Sequence, residues 1–530
     1  MNFEQIRAEA EPACDYLKKD NGAIVRIGAS ADHPALADVV NRFQQDIDKA
    51  GIKVKVIAAG SYGLDDLEPI VSIEKPGSPA LLYRCVTPEV AAELVNRYLA
   101  GGSGESELAH GGIDDVPALK LQNRIALRNC GYIDPENINE YVIRGNGYGG
   151  LARALAMESG EVIGELEKVG LRGRGGAGYP AAEKWKTCRE TESDEKYVIC
   201  DAMDADPEAC TARLLIEGDP HSVLEGMLIG AYAVGACRGF ICVNSGYKAA
   251  IKRLEKALEQ MRGYGLLGES VLDSPFKFDI EIKAIEPSLV AGEETALIRT
   301  LEGRQAIPYL RTVYPAASGL AGKPTLVNNA ETLSHVSTII QNGVDAVPDT
   351  KVITLSGDVA HKYTVEVPFG TTLRSVVSDI GGATDIKAVQ FGGPTGYYFN
   401  ADSLDIPIDY ESMEKVGGIV GSGTVKVYDN NHCAVEIAKD AMAFLQAQSC
   451  GKCVFCREGT YQMLDILNDI AENKGKPEDI DMLLELAGGM KTGSICGLGR
   501  TAPNPVVSSI ELFRSDYDAH IKGKKCPKKP

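Results

Sequence analysis

Long apolar runs are missing from this 530-residue chain: none reaches 18 consecutive apolar residues, so no segment reads as a transmembrane helix. The first stretch, MNFEQIRAEAEPACDYLKKD, has no apolar core behind basic residues and does not read as a secretory signal. Excess basic charge is missing too. The net charge is −19 and the pI about 5.0, which argues against nucleic acid as a partner. There is one tryptophan, no internal repeat and no low-complexity segment. The expected location is therefore cytoplasmic, with no direct membrane insertion and any membrane association made through partners.

Glycine and cysteine are what the chain has in meaningful patterns. Five of the nine residues from Gly170 to Gly178 are glycine, in Gly170-Leu-Arg-Gly-Arg-Gly-Gly-Ala-Gly-Tyr-Pro180, with Lys184-Trp185 following. No packed helix or strand tolerates that density. The backbone must pass close to something or turn with positive φ. Interleaved arginines make an anion the expected object, and bare amides suit a phosphate. The alternative is a flexible surface loop, but a linker favours serine over arginine and would not end in Tyr-Pro beside the only tryptophan.

The fourteen cysteines are too many for idle thiols and too dispersed for a small disulfide scaffold. Ten are scattered, Cys433 and Cys526 among them, and most read as buried small hydrophobes. Cys450, Cys453 and Cys456 form a C-x2-C-x2-C run, and Cys496 lies in Ser494-Ile-Cys-Gly-Leu-Gly499. Three thiolates in a row plus one remote thiolate suit the corners of a [4Fe-4S] cube. Zinc accepts four thiolates as well, though its sites usually come as two separated pairs.

Taken in order, residues 1–105 alternate as a small α/β unit, with strands at Ala23–Gly28, Ile52–Ala58 and Leu81–Cys85 and a helix capped by Thr87. Gly101–Ser106 reads as a linker. Residues 106–345 alternate strand and helix on a larger scale, as an α/β sheet with ligands at its carboxyl edge. Residues 346–432 have several short strands around one helix, Thr372–Ile380, which suggests a β-grasp unit. Residues 433–530 have helical periodicity at 434–447, 460–473, 480–490 and 506–522, a four-helix bundle carrying the cysteines, with a basic tail expected to fray. The fold class is α/β multidomain.

The motifs GLRGRGGAGYP, AGEETALI (291–298), KPTLVNNAETL (323–333), SCGKCVFCREG (449–459) and SICGLG (494–499) resemble those of one family. It is the NADH-oxidising flavoprotein subunit of respiratory complex I, with its relatives in NAD-linked and electron-bifurcating hydrogenases and formate dehydrogenases. The resemblance covers residues 115–525 and implies FMN, one [4Fe-4S] cluster and a multisubunit redox complex that includes a small [2Fe-2S] subunit. It implies that Gly173, Arg174, Gly175 and Lys184 hold the FMN phosphate and ribityl region. Gly292, Glu293, Glu294, Val327, Asn328 and Asn329 would line the flavin, the two glutamates as catalytic carboxylates, with Asp201 and Asp204 in the cofactor site. Cys450, Cys453, Cys456 and Cys496 would ligate the cube.

Departures from the family pattern fall in three places. The N-terminal residues resemble the thioredoxin-like [2Fe-2S] domain of the hydrogenase relatives, but the ligand positions read Ile27-Gly-Ala-Ser-Ala31 and Gly60-Ser-Tyr-Gly-Leu-Asp65, so no [2Fe-2S] cluster is expected there. The two-cluster ferredoxin domain that follows the Lys-Cys-Pro motif in larger relatives is expected to be absent. The nicotinamide face differs most. The family's asparagine is Asp201, an acid is Met203, a glycine is Glu208, a tyrosine is Leu289, an aromatic is Thr187, and an arginine and a glutamate are Asn244 and Gly246. Glu208 is expected to repel an anionic dinucleotide.

Three readings follow: an enzyme subunit that exchanges hydride with NAD(H) through FMN and passes single electrons through the cube; the same cofactors without NAD(H), as a relay subunit; or a scaffold with no redox group, against which the intact cysteine set argues.

Overall fold

The computed structural model describes residues 1–18, 22–101, 111, 115–343, 347 and 349–528; most of the expected Gly101–Ser106 linker lies outside them. The chain is a mixed α/β protein, with three sheets among the described residues and a helical C-terminal part.

The first sheet, β1 (Ala23–Gly28), β2 (Val54–Ala59), β3 (Ile70–Glu74) and β4 (Leu81–Tyr83), has the order β2-β1-β3-β4. Its amphipathic helix Leu36–Ala50 buries Val39, Phe43 and Ile47 against it. The loops at the vanished thiol positions now dock this sheet on its neighbour. Gly60 lies against the Gly218 backbone, and the buried Tyr62 ring presses on Gly28 and Gly131. Asp32 pairs with Arg213 at 2.6 Å. The helix Phe3–Ala13 does not join this sheet. Its Ile6 and Ala10 are buried in the core of the larger unit, which therefore begins at the N-terminus and resumes after residue 111.

That larger unit is built on β5 (Tyr197–Ala202), β6 (Arg238–Asn244), β7 (Asp279–Ile285) and β8 (Thr325–Asn329), all parallel, in the order β7-β6-β5-β8. Near-continuous apolar strands such as Tyr-Val-Ile-Cys suit a sheet covered on both faces. The helices Pro220–Val234 and Ala330–Asn342 are buried almost all round, as their lack of a polar stripe requires. Strand order reverses direction between β5 and β8, which puts a crevice outside their carboxyl ends.

The next unit is a five-stranded mixed sheet, β9 (Thr350–Gly357), β10 (Thr364–Pro368), β11 (Ala388–Phe391), β12 (Tyr397–Asn400) and β13 (Thr424–Tyr428), ordered β10-β9-β13-β11-β12. Sequence periodicity misses β11 and β12, which are only four residues each, too short to alternate visibly. The expected helix at 372–380 is present from residue 373, its last six residues, Ser375–Ile380, wound more widely than an α-helix.

The C-terminal part differs from the expected four helices. The second helix starts at Val454, inside the cysteine run, with Cys453 as its N-cap. The fourth breaks at Phe513 into Asn504–Leu512 and Arg514–Ile521, because the first piece leans on β12 through the Ser508 hydroxyl and the Tyr398 amide, 3.0 Å apart. The basic tail is tied down: Lys524 donates to the Gly475 carbonyl at 2.8 Å, and Cys526 is buried.

A buried ion pair helps join the parallel-sheet unit to the five-stranded unit. Lys351 on β9 reaches Glu331 at 2.6 Å, both 1% exposed, and Glu331 also accepts the Val352 amide at 2.8 Å. Lys351→Met removes one partner and leaves a buried carboxylate. The expected destabilisation is about 3–5 kcal/mol in urea unfolding; a loss below about 1 kcal/mol would show that the pair is not holding the two units together.

Candidate functional site

The glycine loop lies across the crevice. The Arg174 amide donates to Thr332 Oγ1 at 2.9 Å and Gly173 N to Tyr179 O at 2.9 Å, which fixes the loop beside the N-terminus of Ala330–Asn342. Gly178 has φ +62°, and a Cβ there would meet the Tyr410 ring at 2.5 Å; Gly176 has φ +121° and lies against Gly421. The amides of Gly175, Gly176 and Ala177 donate to no acceptor among the described residues. Gly175 passes Asn329, whose Oδ1 caps the helix by accepting the Thr332 amide at 3.0 Å. Free amides facing a helix N-terminus form an anion site.

The loop arginines do not serve that site. Arg174 is fully buried, pairs with Asp349 and lies 4.9 Å from the Phe369 ring centre. Arg172 pairs with Glu411 over the Tyr410 ring. Both guanidinium groups clamp the five-stranded unit, so the expectation of arginine cations for a phosphate gives way to backbone amides.

Lys184, on the helix Ala181–Glu190, reaches into the crevice, paired with Glu294 and donating to the Val327 carbonyl at 3.0 Å. The buried Trp185 next to it donates to Asn328 Oδ1 at 2.9 Å, which explains the lone tryptophan. Glu293 is the N-cap of Glu294–Leu301, accepting the Thr295 and Ala296 amides at 2.9 and 3.0 Å, and pairs with Arg311. Gly292 packs against Ala205, with Asp201 beyond. Lys184, Asp201, Gly292, Glu294, Val327, Asn328 and Asn329 thus come together at the carboxyl edge.

Asp204 is spent elsewhere. Its two oxygens accept the Ala212 and Arg213 amides, each at 2.9 Å, and cap the helix Thr211–Gly218. Burial raises its carboxyl to about 6. Glu208 also leaves the crevice: it bonds Ser356 and pairs with Lys426. Its expected repulsion of a dinucleotide is thereby corrected, since a neighbouring lysine compensates the charge. Leu289 turns to the core of the helical part, and its amide donates to Gln448 at 2.9 Å.

Tyr314 and Arg311, overlooked in the sequence, stand at the crevice mouth beside Tyr179, which the glycine motif already supplies. Tyr179 and Tyr314 are 48% and 62% exposed and close enough to couple electrostatically, and Arg311 lies on the rim. Two large exposed rings near each other were the available signal, but only Tyr179 belongs to a motif.

The four expected cluster ligands converge, since Cys456 and Cys496 both feel Cys450 and Cys453. Burial pushes the Cys456 thiol up to about 11. Gly451 turns with φ +72°, and Arg457 donates to its carbonyl at 2.9 Å. Cys453 and Cys496 are helix N-caps, where the dipole favours negative charge. No three of the four have sulfurs mutually within 4.8 Å. The buried Ser494 hydroxyl, which has no partner, is a donor left for such a group.

Cys433 and Cys526 are buried in the apolar core, as expected of most of the scattered cysteines, but they also belong to a second thiol set. With His520 they form a buried trio whose ligand atoms lie within 4.8 Å of one another, chemistry that can hold a thiophilic ion. Cys433 Sγ is 3.3 Å from His520 Nε2, and His520 Nδ1 is 3.0 Å from Asn473 Oδ1. A second compact group, Asp358, Asp429 and His432, is exposed or half-exposed.

The family profile of the Nuo51 FMN-binding domain matches residues 166–338, and that of the NADH-ubiquinone oxidoreductase-F iron-sulfur binding region matches 436–520. Over 420 residues, 77% of this chain and 85% of the relative, the sequence is 45% identical to the NADP-reducing hydrogenase subunit HndC of Solidesulfovibrio fructosivorans. It is 35% identical over 398 residues to the F subunit of the NADH-quinone oxidoreductase of Streptomyces coelicolor, covering 73% of this chain and 89% of that one. A solved NAD+-reducing [NiFe]-hydrogenase in the H2-reduced state is similar with TM-score 0.67 and 25% identity, over 98% of this chain and 90% of that chain. Among the described residues no helix is long and apolar enough to cross a membrane.

Cys453→Ser in the full-length chain is expected to abolish the iron absorbance and leave flavin content unchanged. Iron retained at the wild-type level would refute the ligand set.

Proposed function

This chain belongs to the family of F-type flavoprotein subunits of NADH-quinone oxidoreductases and NAD(P)-linked hydrogenases, and on that premise we propose that it exchanges electron pairs with NAD(H) at FMN and hands them on singly through one [4Fe-4S] cluster. The family makes it an oxidoreductase subunit with an FMN-binding domain and an iron–sulfur region. FMN, when bound, supplies hydride exchange on one side and one-electron release on the other.

The amides of Gly175, Gly176 and Ala177 and the N-terminus of Ala330–Asn342 would hold the phosphate, with Gly173 shaping the loop. Lys184, held by Glu294 and the Val327 carbonyl, would keep a positive charge beside the ring, and Glu294 is the crevice carboxylate poised to position the nicotinamide. Asn328 and Asn329 offer amide groups at the ends of the strands, and Gly292 leaves room for a flat ring. Arg174, Asp204 and Glu293 hold the surrounding backbone in place.

The observation that carries the NAD(H) part is the mouth of the crevice. Two exposed tyrosines can flank a purine, and a guanidinium on the rim suits a pyrophosphate. The rival reading, FMN and cluster without NAD(H), draws on Leu289, which takes no ring to the crevice. Electrons would leave past Val454 and Phe455, exposed inside the cysteine run, to iron–sulfur partners that include a small [2Fe-2S] subunit.

Anaerobically purified full-length chain is expected to hold one FMN and about four irons and to reduce a dye with NADH. FMN and iron without any response to NADH would reject the NAD(H) reading in favour of its rival. Tyr314→Ala is expected to raise KM for NADH by about tenfold, or about 1.4 kcal/mol, with kcat little changed; an unaltered KM would remove Tyr314 from the dinucleotide site.

A further inference from the structure

Asp201 stands where the family pattern has asparagine, and its surroundings make that exchange chemically meaningful. It lies at the carboxyl end of β5, in register with Asn329 of β8 and Cys242 of β6, at the point where strand order reverses. One carboxyl oxygen accepts the Met203 amide at 3.2 Å. The other faces Gly292, where a Cβ would lie 3.8 Å away. The charged groups that face it are acids: Asp204 from its own loop and Glu294 from the helix Glu294–Leu301. The Cys242 thiol, in register on β6, lies near it as well, while Cys200 precedes it on β5 and turns to the other face of the sheet. Lys184 is no partner, since Glu294 and the Val327 carbonyl hold it.

Asp201 is half-buried at the crevice edge, and a carboxyl group so placed, with one amide donor and no cation facing it, is less well solvated as an anion than in water. Burial, reinforced by Asp204 and Glu294 against the Met203 amide, raises it to about 7. The protonated form is a hydrogen-bond donor, as an amide NH2 is; the ionised form only accepts. A flavin ring presents acceptors along its pyrimidine edge, the two carbonyl oxygens and the nitrogens N1 and N5, with N3–H as its one donor, and it is the acceptors that a donor at position 201 would meet.

Resting on the FMN reading above, we infer that Asp201 contacts the flavin as a neutral carboxylic acid, donating the hydrogen bond that asparagine would donate, and that loss of its proton weakens flavin binding. The sign follows from a pKa raised in the folded chain. The donor is present below about pH 7 and lost as pH rises through that value. Above it, a carboxylate would face the acceptor edge and, after reduction, an electron-rich ring. The residue therefore makes affinity for FMN proton-linked at a position where an amide would leave it indifferent to pH.

Fluorescence titration of the deflavinated full-length chain with FMN, from about pH 5.5 to about 8.5, compares wild type with Asp201→Asn. Ionisation of the FMN phosphate affects both proteins and cancels in the ratio of their Kd values. That ratio is expected to be near one at acid pH and to rise toward tenfold per pH unit above about 7. Asp201→Leu, which cannot donate, is expected to bind weakly throughout and without a step. A ratio that stays flat, or Asp201→Asn binding worse than wild type at acid pH, overturns the inference alone. Wild type that binds no FMN at any pH overturns the FMN reading together with it.

Discussion

The crevice depends on one close backbone approach. The segment Gly175–Gly178 is squeezed between the capped N-terminus of Ala330–Asn342 on one side and Tyr410 and Gly421 of the five-stranded unit on the other. A Cβ at Gly178 would strike the Tyr410 ring and one at Gly176 would crowd Gly421, and both residues have positive φ, so glycine is needed at these two positions. Everything else at the site is arranged to hold that approach. Thr332 takes the Arg174 amide, Arg172 and Arg174 clamp the neighbouring unit, and Trp185 fixes Asn328. Cationic side chains are used for assembly, and the positive potential of the anion site is left to the backbone. This division of labour keeps the site sterically open while its walls are pinned by buried pairs such as Lys351 with Glu331.

The segment between β7 and the helix Glu294–Leu301 connects that crevice to the iron–sulfur region. Leu289 packs into the helical core, its amide is held by Gln448, and Glu293, a helix cap, lies near enough to Cys496 to influence it. A single short loop thus lines the crevice and reaches toward Cys496, which on the proposed reading suits a relay from a two-electron carrier to a one-electron carrier.

Much of this was legible in the sequence, and the limits have physical causes. The glycine loop, the four cysteines and the parallel-sheet alternation are local patterns, set by residue type and spacing. What was misread involves long-range partners. Glu208 looks like an obstacle until Lys426, more than two hundred residues away, compensates it. Arg174 looks like a phosphate cation until Asp349 claims it. Cys433, His520 and Cys526 look unrelated until the tail folds back. Tyr314 carries no motif, and only its exposure beside Tyr179 marks it.

The central claim is that electrons enter at the flavin crevice and leave through the thiolate-held cluster of the same chain. Anaerobic titration of the isolated full-length protein with NADH, followed by low-temperature EPR, tests it most directly. The account predicts a single reduced [4Fe-4S] signal that grows as the flavin absorbance bleaches. Bleached flavin with a cluster that NADH leaves oxidised and dithionite reduces would contradict it.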